Sequence, residues 1–385
     1  MTVSPDTITG DWLTHPGTQA LMQALETAGH RALFVGGCVR NALLHEPVSD
    51  VDISTDATPE TVSTIAEKAG FKPVPTGIDH GTVTVVAEGK PHEVTTFRRD
   101  VETDGRRAVV AYSTDIAEDA QRRDFTMNAL YADRLGQVID PLHGLPDLQA
   151  RRVRFVGDPE TRIREDYLRI LRFFRFHAAY GDPAEGLDPE GLAACAALAQ
   201  GLADISKERI TAELRKLLTA RDPAPAVAAM SHAGILTRIL PGADPRALAP
   251  LAHLDAAEPP RWLRRLAVLG GDTTHLRLSR AEARDLAALR AALETAETPA
   301  ALGWTLGAPL AADVLLARAA SLGTPPPQDW QDEIRRGAGA RFPVTAADLM
   351  PALQGEALGA RMKTLQAQWL ASNLTLSREA LLKQA

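Results

Sequence analysis

The sequence predicts an α+β chain in two regions: a mixed sheet with helices over residues 1–149, then an all-helical remainder. Three observations predict it. Short apolar or alternating runs bounded by glycine recur up to about residue 149, interleaved with amphipathic segments. From about Arg151 the pattern turns helical and nothing strand-like follows. The chain of 385 residues, 45% hydrophobic and 24% charged, is long enough for two or more domains and ordinary for a globular protein.

Taken in order, TQALMQALETAG carries a helical apolar stripe and RALFVGG is a short β-run ending on glycines. SDVDIST reads as a second strand. TPETVSTIAEKAG is a helix with Thr58 as its N-cap, Pro59 in the first turn and Gly70 after its end. GTVTVVAEG and HEVTTFR alternate like antiparallel neighbours, with Glu88-Gly89-Lys90 at the turn. GQVIDPLHGLPDLQ closes the region with a strand and a turn-rich stretch. TRIREDYLRILRFFRFHAAYG and SKERITAELRKLLTA are strong helices. From about Asp222 the chain is Ala/Leu-rich and punctuated by prolines, as expected of short helices joined by tight turns. No internal repeat stands out.

Composition removes several function classes. Cys38 and Cys195 are far apart and give neither a disulfide framework nor a zinc spacing, which suits a reducing cytoplasm. The N-terminal stretch MTVSPDTITGDWLTHPG has no basic segment followed by an apolar core, so no signal peptide is expected. No apolar run is long enough to span a bilayer, so no membrane partner is expected. The net charge of −7 argues mildly against nucleic acid. Between Arg151 and Tyr180, however, eight arginines face four acids, a basic seam suited to bidentate recognition of phosphates and base edges.

Four segments carry chemistry. In FVGGCVRNALLHEPVSDVDIS, Asp50 and Asp52 share one face of a strand, about 7 Å apart. Carboxylates that close need solvent or a divalent cation between them, and hard oxygen ligands suit Mg²⁺, which takes its remaining ligands from substrate phosphates and water. The bland alternative is a solvated strand end. Gly36-Gly37 at a helix start, with Arg40 in the same helix, suits phosphate, or simply close packing. The absence of a Gly-Lys-Ser/Thr segment excludes a P-loop NTPase. In QRRDFTMNAL, Arg122-Arg123-Asp124 precedes a semi-apolar helix, where Asp124 would also complement the helix dipole. In EDYLRILRFFRF, Asp166, Arg169, Arg172 and Arg175 recur every third residue on a helix that is otherwise apolar and hence buried. Buried charges need partners, either an internal salt-bridge network or a bound nucleotide. Glu93 in HEVTTFR reads as an ordinary strand residue.

In this order, over roughly the first 215 residues, these segments resemble the class II tRNA nucleotidyltransferase (CCA-adding enzyme)/poly(A) polymerase family. GGCVRN is similar to its Gly-Gly-x-Val-Arg-Asp element, with Asn41 where the family often has Asp. SDVDIS is similar to its metal-binding D-x-D and RRDFTMNAL to its ribose-reading motif. IDPLHGLPDL resembles the head–neck connector, EDYLRILRFFRF the base-reading helix and SKERITAELRKLL the last neck motif. The resemblance implies a polymerase β-like nucleotidyltransferase head over 1–149, a helical neck over 150–220 and a helical body and tail over 221–385 that hold tRNA. It implies that Asp50 and Asp52 are catalytic and hold Mg²⁺. Gly37, Arg40, Arg123, Asp166, Arg169, Arg172 and Arg175 would bind the substrates CTP and ATP, with the 3′ end of tRNA as acceptor.

The implied chemistry explains base choice without a template. Cytosine and adenine both present an amino donor beside a ring-nitrogen acceptor. A carboxylate at Asp166 accepts from the first, and a guanidinium at Arg169 donates to the second. Uracil and guanine reverse both contacts. Within the family, RDVETDGRRAVVAYSTDIAEDA is a charged loop of full length, which favours complete CCA addition over partial CC or A addition. The missing basic extension disfavours poly(A) synthesis. No histidine is followed by aspartate, so no appended phosphohydrolase domain is expected. The rival from another class is a non-catalytic RNA- or nucleotide-binding protein. RWLRRLAVLGG, with Arg261, Arg264 and Arg265, reads either as a basic face for RNA or as a solvated helix.

Overall fold

The computed structural model describes residues 7–104, 107–256 and 259–383. The chain forms two compact units, Met1–Ile205 with Ala233–Arg238, and Ser206–His232 with Ile239–Ala385. The first six residues of the N-terminal segment lie outside the described residues.

The first unit is built on a seven-stranded mixed sheet. Helices α1 (Asp11–Thr14) and α2 (Pro16–Thr27) precede β1 (Ala32–Val35), which runs into α3 (Gly37–Leu43). There follow β2 (Asp52–Thr55), α4 (Pro59–Lys68), β3 (Lys72–Gly77), β4 (Thr82–Ala87) and β5 (Lys90–Thr96). β6 (Arg98–Asp104) and β7 (Arg107–Tyr112) form a separate two-stranded sheet before α5 (Ile116–Gln121), and β8 (Tyr131–Ala132) and β9 (Val138–Ile139) complete the main sheet. Its order is β3-β4-β5-β2-β1-β8-β9. β2 therefore lies between β1, to which it is antiparallel, and β5, to which it is parallel.

Local sequence accounts for much of this. Thr58 caps α4 by accepting the Thr61 amide. β4 and β5 pair antiparallel through a two-residue loop, Glu88 at φ 47° and Gly89 at φ 78°, the double left-handed turn that matches strand twist. β4 alternates half-buried and buried positions along its length. The core beneath the sheet includes Leu33, Val35, Phe97, Ala129 and Tyr131.

After α6 (Leu145–Gln149) come α7 (Pro159–Glu165), α8 (Leu168–Tyr180) and α9 (Pro189–Ala197). An aromatic cluster holds α8 to the segment after α5. Phe125 lies 4.9 Å from Phe155 and 5.1 Å from Phe176, and Phe155 stacks on Phe173 at 5.4 Å. The second unit is helical, beginning with α10 (Lys207–Thr219), which Ser206 caps. Among the described residues no helix is long and apolar enough to cross a membrane.

Five expectations need correction. TRIREDYLRILRFFRF is two helices, because Asp166 adopts an extended conformation (φ −156°, ψ 103°) and its Oδ1 accepts the Leu168 amide. The segment after Asp124 is a single 3₁₀ turn, Thr126–Asn128. There Thr126 donates to Asp147 and Asn128 to Asp124, side-chain bonds that compete with helix formation. The charged loop RDVETDGRRAVVAYSTDIAEDA is the β6–β7 hairpin followed by α5, with its tip, residues 105–106, outside the described residues.

Asp50 does not lie within a strand. β2 starts at Asp52, because its partner β1 ends at Val35, where Gly36 turns the chain at φ 70°. RWLRR is neither a basic face nor a solvated helix, for Arg264 and Arg265 are buried. Arg264 bridges Asp255 at 2.9 Å and Asp313 at 3.0 Å, and Arg265 pairs with Asp255 at 3.0 Å.

Candidate active site

The corner between β1 and α3 is made by two unlike glycines. Gly36 needs to be glycine for its backbone, with φ 70° and ψ −116°. Gly37 is already helical, and a Cβ there would meet only Arg40 Nη2, at 3.8 Å. Neither backbone nor packing forbids a side chain at Gly37; what glycine provides there is open space in a cavity.

That cavity, about 200 Å³, is lined by Gly37, Cys38, Arg40, Asn41, Asp50, Asp52 and Tyr180 among others. Arg40 is buried along most of its length and held from several sides. Its Nη1 donates to Asn128 Oδ1 at 2.5 Å, its Nε and Nη2 donate to Asn41 Oδ1, and its Nη2 also donates to Tyr180 Oη at 2.8 Å. The guanidinium lies 4.0 Å from the Tyr180 ring centroid. Burial, reinforced by nearby Arg175, pulls its pKa below the usual arginine range, so an anion in the cavity would relieve an unfavourable charge. Asn41 thereby gains a visible task. It buttresses Arg40 and donates its own amide to Pro47 O at 2.7 Å.

A larger cleft of about 590 Å³ also reaches Asp50 and Asp52, and adds Trp12, Thr84, Lys90 and Glu93. In the parallel β2–β5 register Asp52 stands beside Glu93, and Thr84 on β4 stands beside Glu93 in turn. Burial raises the Asp52 carboxyl from 3.8 to about 6, with Glu93 and then Asp50 adding like charge and Arg123 opposing. Glu93, dismissed on sequence grounds, is thus part of the acidic cluster. A β-run following the D-x-D strand with an acid at its start was the available signal, but only the register gives it meaning.

Arg123 sits on the Asp52 side of β2, with its Nη2 3.5 Å from Ser54 Oγ and 3.1 Å from Asp119 Oδ2. Its Nε donates to Tyr131 Oη at 3.2 Å. Burial opposes its charge, but Tyr131 and Asp119 outweigh that and hold the guanidinium firmly protonated. A Cβ at Gly36 would come within 3.2 Å of its Nη1, so Arg123 braces the glycine corner.

The α8 arginines divide. Arg172 donates Nε to Asp124 Oδ2 at 2.8 Å, and Asn128 Nδ2 donates to Asp124 Oδ1 at 2.9 Å. A continuous line therefore runs Arg40–Asn128–Asp124–Arg172. Burial would raise the Asp124 carboxyl, but Arg172 and Asn128 hold it below the usual range. Arg175 lies over the Phe176 ring at 4.2 Å, and Arg40 is 5.2 Å from the same ring. Arg169 is ion-paired with Glu165 and donates to the carbonyls of Arg162 (2.8 Å) and Arg122 (3.3 Å). Asp166 occupies the break between α7 and α8. The structure therefore gathers Gly37, Arg40, Asp50 and Asp52 in one cavity, sets Arg123, Arg172 and Arg175 around it, and leaves Asp166 and Arg169 at the far end of α8.

Among the described residues no three His, Cys, Asp or Glu side chains form a ready-made metal cage. Asp50 and Asp52, the latter already reluctant to ionise, make a donor set that a divalent cation would complete together with substrate oxygens and water. The residues fit such an ion.

Two family descriptions match the chain: "Poly A polymerase head domain" over residues 32–154, and "Probable RNA and SrmB- binding site of polymerase A" over residues 186–246. The mitochondrial CCA tRNA nucleotidyltransferase 1 of Homo sapiens is 42% identical over 203 residues, 52% of this chain and 47% of its own. The CCA-adding enzyme of Leuconostoc citreum is 41% identical over 226 residues, 58% of this chain and 54% of its own. The chain thus spans about half the length of the curated relatives it matches. The crystal structure of the Bacillus stearothermophilus CCA-adding enzyme in complex with CTP superposes with a TM-score of 0.73 at 30% identity, covering 96% of each chain.

Proposed function

We propose, since this chain belongs to the tRNA nucleotidyltransferase/poly(A) polymerase family, that it adds CCA to the 3′ end of tRNA from CTP and ATP, without a template and with release of pyrophosphate. The observation that carries this reading is the meeting of Asp50 and Asp52 with Gly37 and Arg40 in one cavity. The names of the relatives, and the CTP bound to the Bacillus enzyme, support the substrates. Divalent-metal dependence follows from membership of the family; Mg²⁺ is the ion that oxygen-only donors and a triphosphate favour. The buried free thiols Cys38 and Cys195 support a reducing cytoplasm. We keep the division into head 1–149, neck 150–220 and body and tail 221–385 as part of the same reading.

Asp50 and Asp52 would hold the ion. When bound, it lowers the pKa of the RNA 3′-hydroxyl and offsets the charge of the departing pyrophosphate. Gly37 leaves room for the phosphates and Arg40, held by Asn41, Asn128 and Tyr180, pairs with them. Arg123 keeps the glycine corner and the Asp52 face in fixed relation. Arg172 and Arg175 supply positive charge on the α8 side. Asp166 and Arg169 read the amino group and ring nitrogen shared by cytosine and adenine.

The deciding experiment incubates the full chain with a tRNA lacking its CCA end, Mg²⁺, and CTP and ATP separately and together. Growth by CCA followed by a halt is the expected result. Continued A addition means poly(A) synthesis, and C alone or A alone means a partial enzyme. No incorporation overturns the reading in favour of a non-catalytic binder.

A further inference from the structure

One face of α8 meets the head along its length. Arg172, Phe176 and Tyr180 recur every fourth residue and so lie one above another on the helix. Arg172 holds Asp124 and Phe176 packs on Phe125. Tyr180, the half-buried last residue of α8, reaches Arg40. Its position is fixed from both sides. The Phe176 ring lies 5.6 Å away. Just beyond, the Gly181 amide donates to His177 O at 2.8 Å and the Asp182 amide to Arg151 O at 3.1 Å.

Most of the donors of Arg40 are already engaged. A guanidinium carries five N–H groups. Here Nε and Nη2 each donate one to Asn41 Oδ1, Nη1 donates one to Asn128 Oδ1, and the second of Nη2 goes to Tyr180 Oη. Four are thus used, and a single N–H on Nη1 is left. Arg40 therefore lacks the two parallel bonds with which an unengaged guanidinium fork grips a phosphate. Tyr180 Oη accepts from Arg40 and keeps its own proton. Among the described residues no group accepts that proton, although Asp50 and Asp52 line the same cavity. A hydroxyl that accepts from a cation is polarised into a stronger donor. Stacking alone has no use for it, because the phenyl ring of Phe176 already lies 5.2 Å from the Arg40 guanidinium.

Resting on the function proposed above, we infer that Tyr180 binds the nucleotide directly. Its phenol O–H donates to a phosphate oxygen of the incoming triphosphate, beside the remaining N–H of Arg40. The guanidinium supplies charge and one bond; the phenol supplies a second bond without adding charge. The pair grips CTP and ATP alike, since the triphosphate is what the two share, and contributes nothing to base choice.

The test compares the parent with Tyr180→Phe, which keeps the ring and removes the hydroxyl, and with Tyr180→3-fluorotyrosine, introduced at that site alone. Fluorine makes the phenol a stronger donor and a poorer acceptor. KM is measured for CTP, ATP and tRNA, and Kd for CTP and for cytidine without RNA, all in Mg²⁺ at about pH 6.5, well below the phenol's titration. Tyr180→Phe should raise the CTP and ATP KM about tenfold, or ~1.4 kcal/mol, in keeping with one hydrogen bond to a charged group. The tRNA KM and the cytidine Kd should stay within about twofold. Fluorination should lower the CTP KM. A residue that only positions Arg40 predicts the opposite, since the poorer acceptor holds the guanidinium less well. A CTP KM that stays or rises on fluorination overturns the inference, as does a Tyr180→Phe loss below about twofold or one shared by cytidine or tRNA. Should Tyr180→Phe fail to fold, the direction of the fluorine effect decides. A parent that incorporates nothing overturns the functional reading, and the CTP Kd values then decide this inference by the same tenfold.

Discussion

Replacing Glu93 by Gln tests the acidic cluster without touching either proposed metal ligand. Asp52 is lifted from 3.8 to about 6 by burial first and Glu93 second. The whole displacement corresponds to about 3 kcal/mol at 1.36 kcal/mol per pH unit. Glu93 stands on the adjacent strand, about 4.8 Å away in the hydrogen-bonding direction, and a like charge at that spacing is taken to shift a carboxyl by about one pH unit, ~1.4 kcal/mol. In metal-free Glu93→Gln the Asp52 midpoint should therefore fall from about 6 to about 5.

Two consequences can be read out. At pH 5.5 Asp52 is about one-quarter ionised in the parent and about three-quarters in the variant. Divalent-cation affinity should then change about fourfold between pH 5.5 and 7.5 in the parent and barely at all in the variant. The sign for stability is that of an acid whose folded pKa is raised. Ionising Asp52 costs the fold nothing below its ordinary 3.8 and the full amount above pH 6, so the variant gains about 1.4 kcal/mol at pH 7.5 and nothing at pH 3.5. Carboxyl-carbon NMR, with Asp52→Asn to assign the signal, and Mn²⁺ titration at both pH values make the measurement. A midpoint within about 0.3 of the parent's, the resolution of such titrations, would refute the claim that Glu93 faces Asp52.

The glycine corner gives a paired prediction: Gly36→Ala should destabilise by about 1–3 kcal/mol through its left-handed backbone. Gly37→Ala should leave stability equal or slightly higher while raising the CTP KM; an unchanged KM would remove Gly37 from the nucleotide site. Asp166→Ala should lose about a decade or more of preference for C and A over U and G, from buried contacts worth about 1–3 kcal/mol each, while some turnover persists. Equal selectivity in competition assays would refute the base-reading role. In the helical unit, Asp255→Ala removes a carboxylate shared by two buried guanidiniums, leaving Arg264 with Asp313 and Arg265 with backbone carbonyls, and should cost about 3–5 kcal/mol in urea unfolding of that unit; a loss below about 1 kcal/mol would mean that the cluster relaxes into water.

Particular residues show how far sequence reaches. β4 and β5 were legible because their alternation and the Glu88-Gly89 turn are local signals. β3 was not, since Pro73 and Pro75 lack the amide a ladder needs; the strand tolerates them because it sits at the edge of the sheet. The D-x-D pair and the Arg40 corner were legible as chemistry, but the pairing of Glu93 with Asp52 exists only in the strand register. The helix break at Asp166 escaped because the three-residue charge period runs straight across it, though an aspartate two residues before Leu168 is an Asx-turn signal. Arg264 and Arg265 looked like surface because their partners, Asp255 for both and Asp313 for Arg264, lie on other segments of the chain.

Those two arginines meet almost no water, and their pairing with Asp255 and Asp313 is screened little by dissolved ions. Rising ionic strength, which loosens any polyanion held on a protein's exterior, leaves this interior cluster intact. The helical unit should therefore keep its shape in brine strong enough to strip its surface bare, so that a salt wash reports on contact alone.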